Sequence, residues 1–174
     1  MNASDVGRIA DLEKSTVIEW TDRGVLTAQA DGSYAVIDAL RFAAVGSLVK
    51  AGVPVYRAAE AIGRVEGDQR FWLDAGTPQE HLWIYAITFG SQVFRAVHFA
   101  GDSAAADREI QERFGNPSDS GSDVIQNIGD GEIEYEYPQA PGAPLFRIVR
   151  YDIGADLGLA LREIAKYAGR TGSK

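Results

Sequence analysis

One change of hydrophobic period divides this 174-residue chain. Up to Val65 the apolar residues recur at helical spacing, whereas beyond it the clearest runs are β-branched and aromatic. Helices first and strands afterwards is the order of an α+β protein, not of alternating β–α units. Residues 1–65 are therefore expected to form a small helical unit, and residues 66–174 a mostly antiparallel sheet with about two helices against it.

Within the first unit, Ser4 is placed to cap a helix from Asp5 to Leu12, with Val6, Ile9 and Ala10 inward. Glu13 to Ser15 leaves room only for a tight turn. Thr16-Val17-Ile18-Glu19 has capping-box spacing, so Thr16 is expected to cap a second helix, with Glu19 reaching back to the cap amide. Gly24 ends that helix, and Val17 and Trp20 face the core. The Asp31-Gly32 turn predicts a hairpin over Leu26 to Val36. Asp38 opens a third helix on Leu40, Ala43, Ala44, Leu48 and Ala51, closed by Gly52; Pro54 begins a fourth on Val55, Ala58, Ala59 and Ile62.

In the second unit, Arg70-Phe71-Trp72-Leu73 fits either a strand or a short helix, and Thr77 to Glu80 resembles a helix start. "LWIYAITF" (82–89) and "QVFRAVHF" (92–99) read as strands joined by a Gly90-Ser91 turn. A helix over Ser103 to Phe114 follows, then strands over Val124 to Ile128, Glu132 to Tyr137 and Leu145 to Tyr151, and a last amphipathic helix over Ala155 to Ala168.

The ordered set Ser15-Thr16-Val17, Trp20, Gly24 and Leu26, then Tyr34, Asp38, Ala39 and Leu40, resembles the winged helix-turn-helix of the MerR and excisionase superfamily. "LRFAAVGSLVKAGVPVYRAAEAIG" is similar to that family's third and fourth helices. The likeness covers residues 1–65 alone. It implies that the second helix enters the major groove of double-stranded DNA while the hairpin grips the neighbouring backbone. In that arrangement Ser15, Thr16 and Glu19 occupy reading positions, Lys14 and Arg23 meet phosphates, and Trp20 belongs to the core. Two departures stand out: Glu19 occupies a position commonly basic or aromatic in the family, and the wing sequence "TAQADGSYAV" lacks any basic residue.

Charge bears on the same question. The net charge is −8, but residues 1–65 carry seven Lys/Arg against eight Asp/Glu, so the acid lies mainly in residues 66–174. Phosphate neutralisation supplies most non-specific affinity for DNA, so a nearly neutral unit binds weakly unless it dimerises. Gly63, Gly67 and Gly76 interrupt any long coiled-coil helix after the fourth helix, which leaves dimerisation to residues 66–174.

Other functions find less support. Without cysteine there is no disulfide framework or thiolate metal site, as suits a reducing compartment. The first residues are charged too early for a signal peptide, and the uncharged stretch Leu82 to Phe94 spans 13 residues. A membrane helix needs about 20; a cytoplasmic protein with no membrane partner is expected.

No phosphate loop, dinucleotide fingerprint, nucleophile elbow or zinc spacing occurs, and His81 and His98 are the only histidines. No catalytic residue, metal site or cofactor is expected, and no enzyme. Asp119, Asp123, Asp130 and Glu132 read as a solvated loop. Glu132, Glu134 and Glu136 read as a wet strand face, or alternatively as a docking surface for a basic partner. Trp72, Trp83, Tyr85, Phe89, Phe94 and Phe99 read as core, with a ligand pocket as the sharper alternative.

The expected function is a DNA-binding transcriptional regulator, a homodimer whose acidic second unit dimerises, senses a small ligand or docks a protein partner. The alternative is a non-enzymatic protein-interaction adaptor whose helical unit has ceased to bind DNA.

Overall fold

The computed structural model describes residues 1–67, 69–77, 81–89, 92–102, 104–105, 107–108, 124–127, 133–137 and 146–171. Among these the chain is α+β: besides a helical stretch at Ala104, Ala105, Asp107 and Arg108 between the second and third strands, it has five helices followed by five strands and a closing helix. These are α1 (Ala3–Ala10), α2 (Lys14–Asp22), α3 (Val36–Lys50), α4 (Val55–Val65), α5 (Gln69–Ala75), β1 (Leu82–Phe89), β2 (Gln92–Ala100), β3 (Val124–Asn127), β4 (Ile133–Tyr137), β5 (Phe146–Asp152) and α6 (Gly154–Thr171).

Asn2, rather than Ser4, caps α1: its carboxamide accepts the Asp5 amide at 3.0 Å, and Asp5 accepts the Asn2 amide at 3.2 Å. The helix stops at Ala10 because Asp11 takes a left-handed conformation, φ 54°, which Asp tolerates better than most residues. Leu12 then folds back, its amide donating to the Gly7 carbonyl at 2.8 Å. Only three residues, Asp11 to Glu13, separate α1 from α2.

This early turn moves the start of α2. The helix begins at Lys14 behind Glu13, with no side-chain cap, so Thr16 lies inside the first turn and is not its cap. Gly24, φ 66°, ends the helix: its amide donates to the Thr21 carbonyl and that of Val25 to the Trp20 carbonyl, a Schellman closure. The hairpin expected over Leu26 to Val36 does not form, since none of residues 26–35 is in a strand and Val36 already belongs to α3. The turn at Asp31-Gly32 is present, closed by the Gly32 amide on the Gln29 carbonyl and the Gln29 amide on the Ser33 carbonyl. Tyr34, however, exchanges backbone bonds with Met1, at 2.9 and 2.8 Å, so the returning segment pairs with the chain's start.

The Asp38 carboxylate accepts the Ala35 amide at 2.7 Å and thereby starts α3 two residues ahead of itself. α3 is buried almost all round and packs against α1, α4 and α6. Trp20 stacks on Phe42 with ring centroids 6.2 Å apart, and Tyr34 meets Phe42 edge-on at 5.7 Å. The stretch left open between strand and helix is helical, as α5.

The sheet is antiparallel throughout, in the order β2-β1-β5-β4-β3. Alternation along β1 gives it two faces. Leu82, Ile84 and Ala86 join the core that contains Leu48, Ile62 and Leu157, so apolar packing runs without a break from the N-terminal helices into α6. Trp83 and Tyr85 occupy the other face. A tight joint links the sheet to α6: one Asp152 oxygen accepts the Leu82 and Gly154 amides at 3.1 and 2.9 Å. Of the helix expected over Ser103 to Phe114, Ala104, Ala105, Asp107 and Arg108 are helical and the rest lies outside the described residues. So do the Gly90-Ser91 turn and Pro78 to Glu80.

The turn that positions α2 makes a testable demand on Gly7. A methyl group there would lie 2.7 Å from the Leu12 carbonyl oxygen, a backbone atom. Gly7→Ala is expected to destabilise the fold by about 1–3 kcal/mol, read by urea denaturation; an unchanged midpoint would refute the close packing of this turn.

Candidate nucleic-acid interface

α2 is held from one side only. Val17 and Trp20, three residues apart, are buried, which turns Ser15, Ile18, Glu19 and Asp22 outward along a single helical stripe. Lys14 and Ser15 are exposed at the start of the helix, with Thr16 partly exposed beside them. Four of the five positions singled out from the sequence thus lie on α2, and Arg23 caps its end.

Glu19 does not turn back to the helix start as a capping residue would. Its carboxylate accepts from Arg23 Nη1 at 2.6 Å, one helical turn ahead, in the favourable order of acid before base. Arg23 Nε donates to the Tyr56 hydroxyl at 3.1 Å, and the guanidinium carbon lies 5.0 Å from the centre of the Tyr56 ring. These bonds to Glu19 and Tyr56 push the Arg23 pKa further up, so it stays charged. Tyr56, on the first turn of α4, is 53% exposed. Sequence reasoning missed it. Its one signal is its absence from the apolar inner stripe of α4, which does not distinguish it from any other solvent-facing residue.

The other cations of residues 1–65 are mostly committed to acids. Arg8 meets Asp5 and Glu163, Arg41 meets Asp38 and Glu66, Lys50 meets Asp11 and Asp156, and Arg64 meets Glu60, all within 4.0 Å. The Lys50 hydrogen bond holds the Asp11 carboxyl below the usual carboxylate range. Among the described residues Lys14 and Arg57 have no carboxylate in ion-pair reach.

Elsewhere, three groups of polar residues gather. His81 Nδ1 lies 2.6 Å from Asp152, and His98 Nε2 lies 3.2 Å from Asp74. On the outer face of β1, Asp107 accepts from the Tyr85 hydroxyl at 2.6 Å and from Arg150 Nη1 at 2.7 Å. Burial and the Asp107 carboxylate raise the Tyr85 pKa, so the phenol keeps its proton and donates. Arg150, 9% exposed, lies over Trp83, and its Nε has no hydrogen-bond partner. No group of three metal-ligating side chains occurs among the described residues, and no helix there is long and apolar enough to cross a membrane. Asp119, Asp123, Asp130, Glu132 and the side chains of Glu134 and Glu136 lie outside the described residues.

No protein-family model matches this chain, and no curated protein matches it by sequence.

The Asp107–Arg150 pair serves the fold, and its removal has a stated cost. Asp107→Asn leaves Arg150 buried against Trp83 with its charge uncompensated, and is expected to lower stability by about 1–3 kcal/mol. Chemical denaturation checks this; a change below about 0.5 kcal/mol, the scale of an ordinary surface substitution, would show the pair to be dispensable.

Proposed function

We propose that this chain is a DNA-binding transcriptional regulator whose helix α2 enters the major groove of double-stranded DNA, with residues 66–174 joining two copies or receiving a signal. The observation that carries the reading is the presentation of α2. A short helix follows α1 after three residues, is anchored to α3 by Trp20 on Phe42, and turns Ser15 and Glu19 outward with Lys14 and Thr16 at its start. That is the arrangement in which a helix-turn-helix brings side chains to base edges. The resemblance of residues 1–65 to the MerR and excisionase superfamily supports it. The grip of a wing has weaker support, because residues 26–35 hold neither a strand nor a basic residue. Backbone contact therefore falls to Lys14, Arg23 and Arg57.

Ion pairing within the protein does not remove its cations from use. Exposed pairs contribute about 0–1 kcal/mol, so a phosphate can replace a carboxylate at small cost. Three phosphate contacts give a salt slope of at most about −3 per copy, at roughly −0.9 each. The pairing of five of the seven cations with acids is also the observation that favours the second reading, an interaction adaptor that no longer binds DNA.

Fluorescence anisotropy with genomic fragments across a salt series separates the two. The regulator reading expects binding that weakens with salt, and a Lys14→Ala, Arg23→Ala double variant that is weaker on every fragment with a slope shallower by about 1–2. No binding at low salt would remove the regulator reading and leave the adaptor.

A further inference from the structure

Resting on the DNA-binding reading and going beyond it, we infer that Arg23, positioned by Tyr56, forms a clamp for a backbone phosphate, and that Glu19 takes the phosphate's place on Arg23 in the free protein. Two helices supply the clamp: the guanidinium from the end of α2 and the phenol from the first turn of α4. They meet across 33 positions of sequence through the 3.1 Å bond from Arg23 Nε to the Tyr56 hydroxyl. That bond uses the phenolic oxygen as acceptor and fixes one edge of the guanidinium. Arg23 Nη1 meanwhile holds the Glu19 carboxylate at 2.6 Å. A phosphate oxygen arriving in place of that carboxylate finds Nη1 already oriented by the bond that Nε makes to the Tyr56 hydroxyl.

All three side chains are accessible, Glu19 at 58% and Arg23 at 44% of the side chain, so the exchange needs no opening of the fold. A planar guanidinium suits carboxylate and phosphate alike, which makes one a credible stand-in for the other. Glu19 and the neighbouring Asp22 both repel DNA, and Glu19 must surrender its partner before Arg23 can act. The consequence is restrained binding to arbitrary sequence: wild-type protein releases less salt on binding than its cations alone would give, because Glu19 regains a counterion when Arg23 leaves it.

The test compares full-length wild type, Glu19→Gln and Tyr56→Phe for anisotropy binding to a panel of mixed-sequence duplexes over several salt concentrations. Glu19→Gln is expected to bind every duplex roughly fivefold tighter, with a salt slope steeper by up to about 0.9. Tyr56→Phe keeps the ring and loses the hydroxyl, and is expected to bind two- to threefold more weakly with an unchanged slope, on the scale of about one neutral hydrogen bond. Glu19→Gln binding no tighter than wild type overturns the clamp while leaving DNA binding in place. A gain confined to duplexes differing at one base pair also overturns it, because Glu19 would then be reading a base. If neither wild type nor Glu19→Gln binds at low salt, the DNA-binding reading fails and the clamp with it.

Discussion

Phe42 is the ring on which the N-terminal half of the molecule converges. It has no exposed surface, takes Trp20 of α2 flat against it and meets Tyr34 edge-on. Those two contacts fix α2 and the segment after it to α3, which is itself enclosed by α1, α4 and α6. The placement of the outward stripe of α2, and of Arg23 beside Tyr56, follows from this packing. Loss of a buried aromatic anchor costs about 3–5 kcal/mol, a large share of the roughly 5–15 kcal/mol that holds a domain together.

α6 extends the same interior into the sheet. Leu157 and Ala160 are buried, Arg8 reaches Glu163 and Lys50 reaches Asp156, while Asp152 ties the helix start to the first residue of β1. A strain applied at the sheet therefore has a packed route to α1 and α3, the helices beneath the proposed reading element. The acids of α6 also lower the effective positive charge of the N-terminal helices, which is a local expression of the chain's net charge of −8.

Much of this fold was legible in the sequence, wherever a local signal had no competitor. The aromatic and β-branched runs after His81 became β1 and β2, Gly24 took the left-handed conformation that ends α2, and Val17 and Trp20 were buried. The failures lie where two local solutions were available. Asn2 and Ser4 both suit a cap, and the one that reached the Asp5 amide won. The Thr16–Glu19 spacing fits a capping box, but Asp11 turned the chain early enough to start α2 at Lys14, which freed Glu19 for Arg23. The Asp31-Gly32 turn formed without its ladder because Tyr34 found Met1 as a partner. Tyr56 was invisible for a different reason: its role depends on a contact 33 residues away, and no periodicity encodes such a meeting.

The central claim is that the exposed stripe of α2 meets DNA. Genome-wide occupancy of the tagged full-length protein, compared in the same cells with a tagged Lys14→Ala, Arg23→Ala variant, tests it most directly. The account predicts discrete enriched sites for the wild type that are lost in the variant at equal protein abundance. A wild-type profile indistinguishable from that of the variant would contradict it.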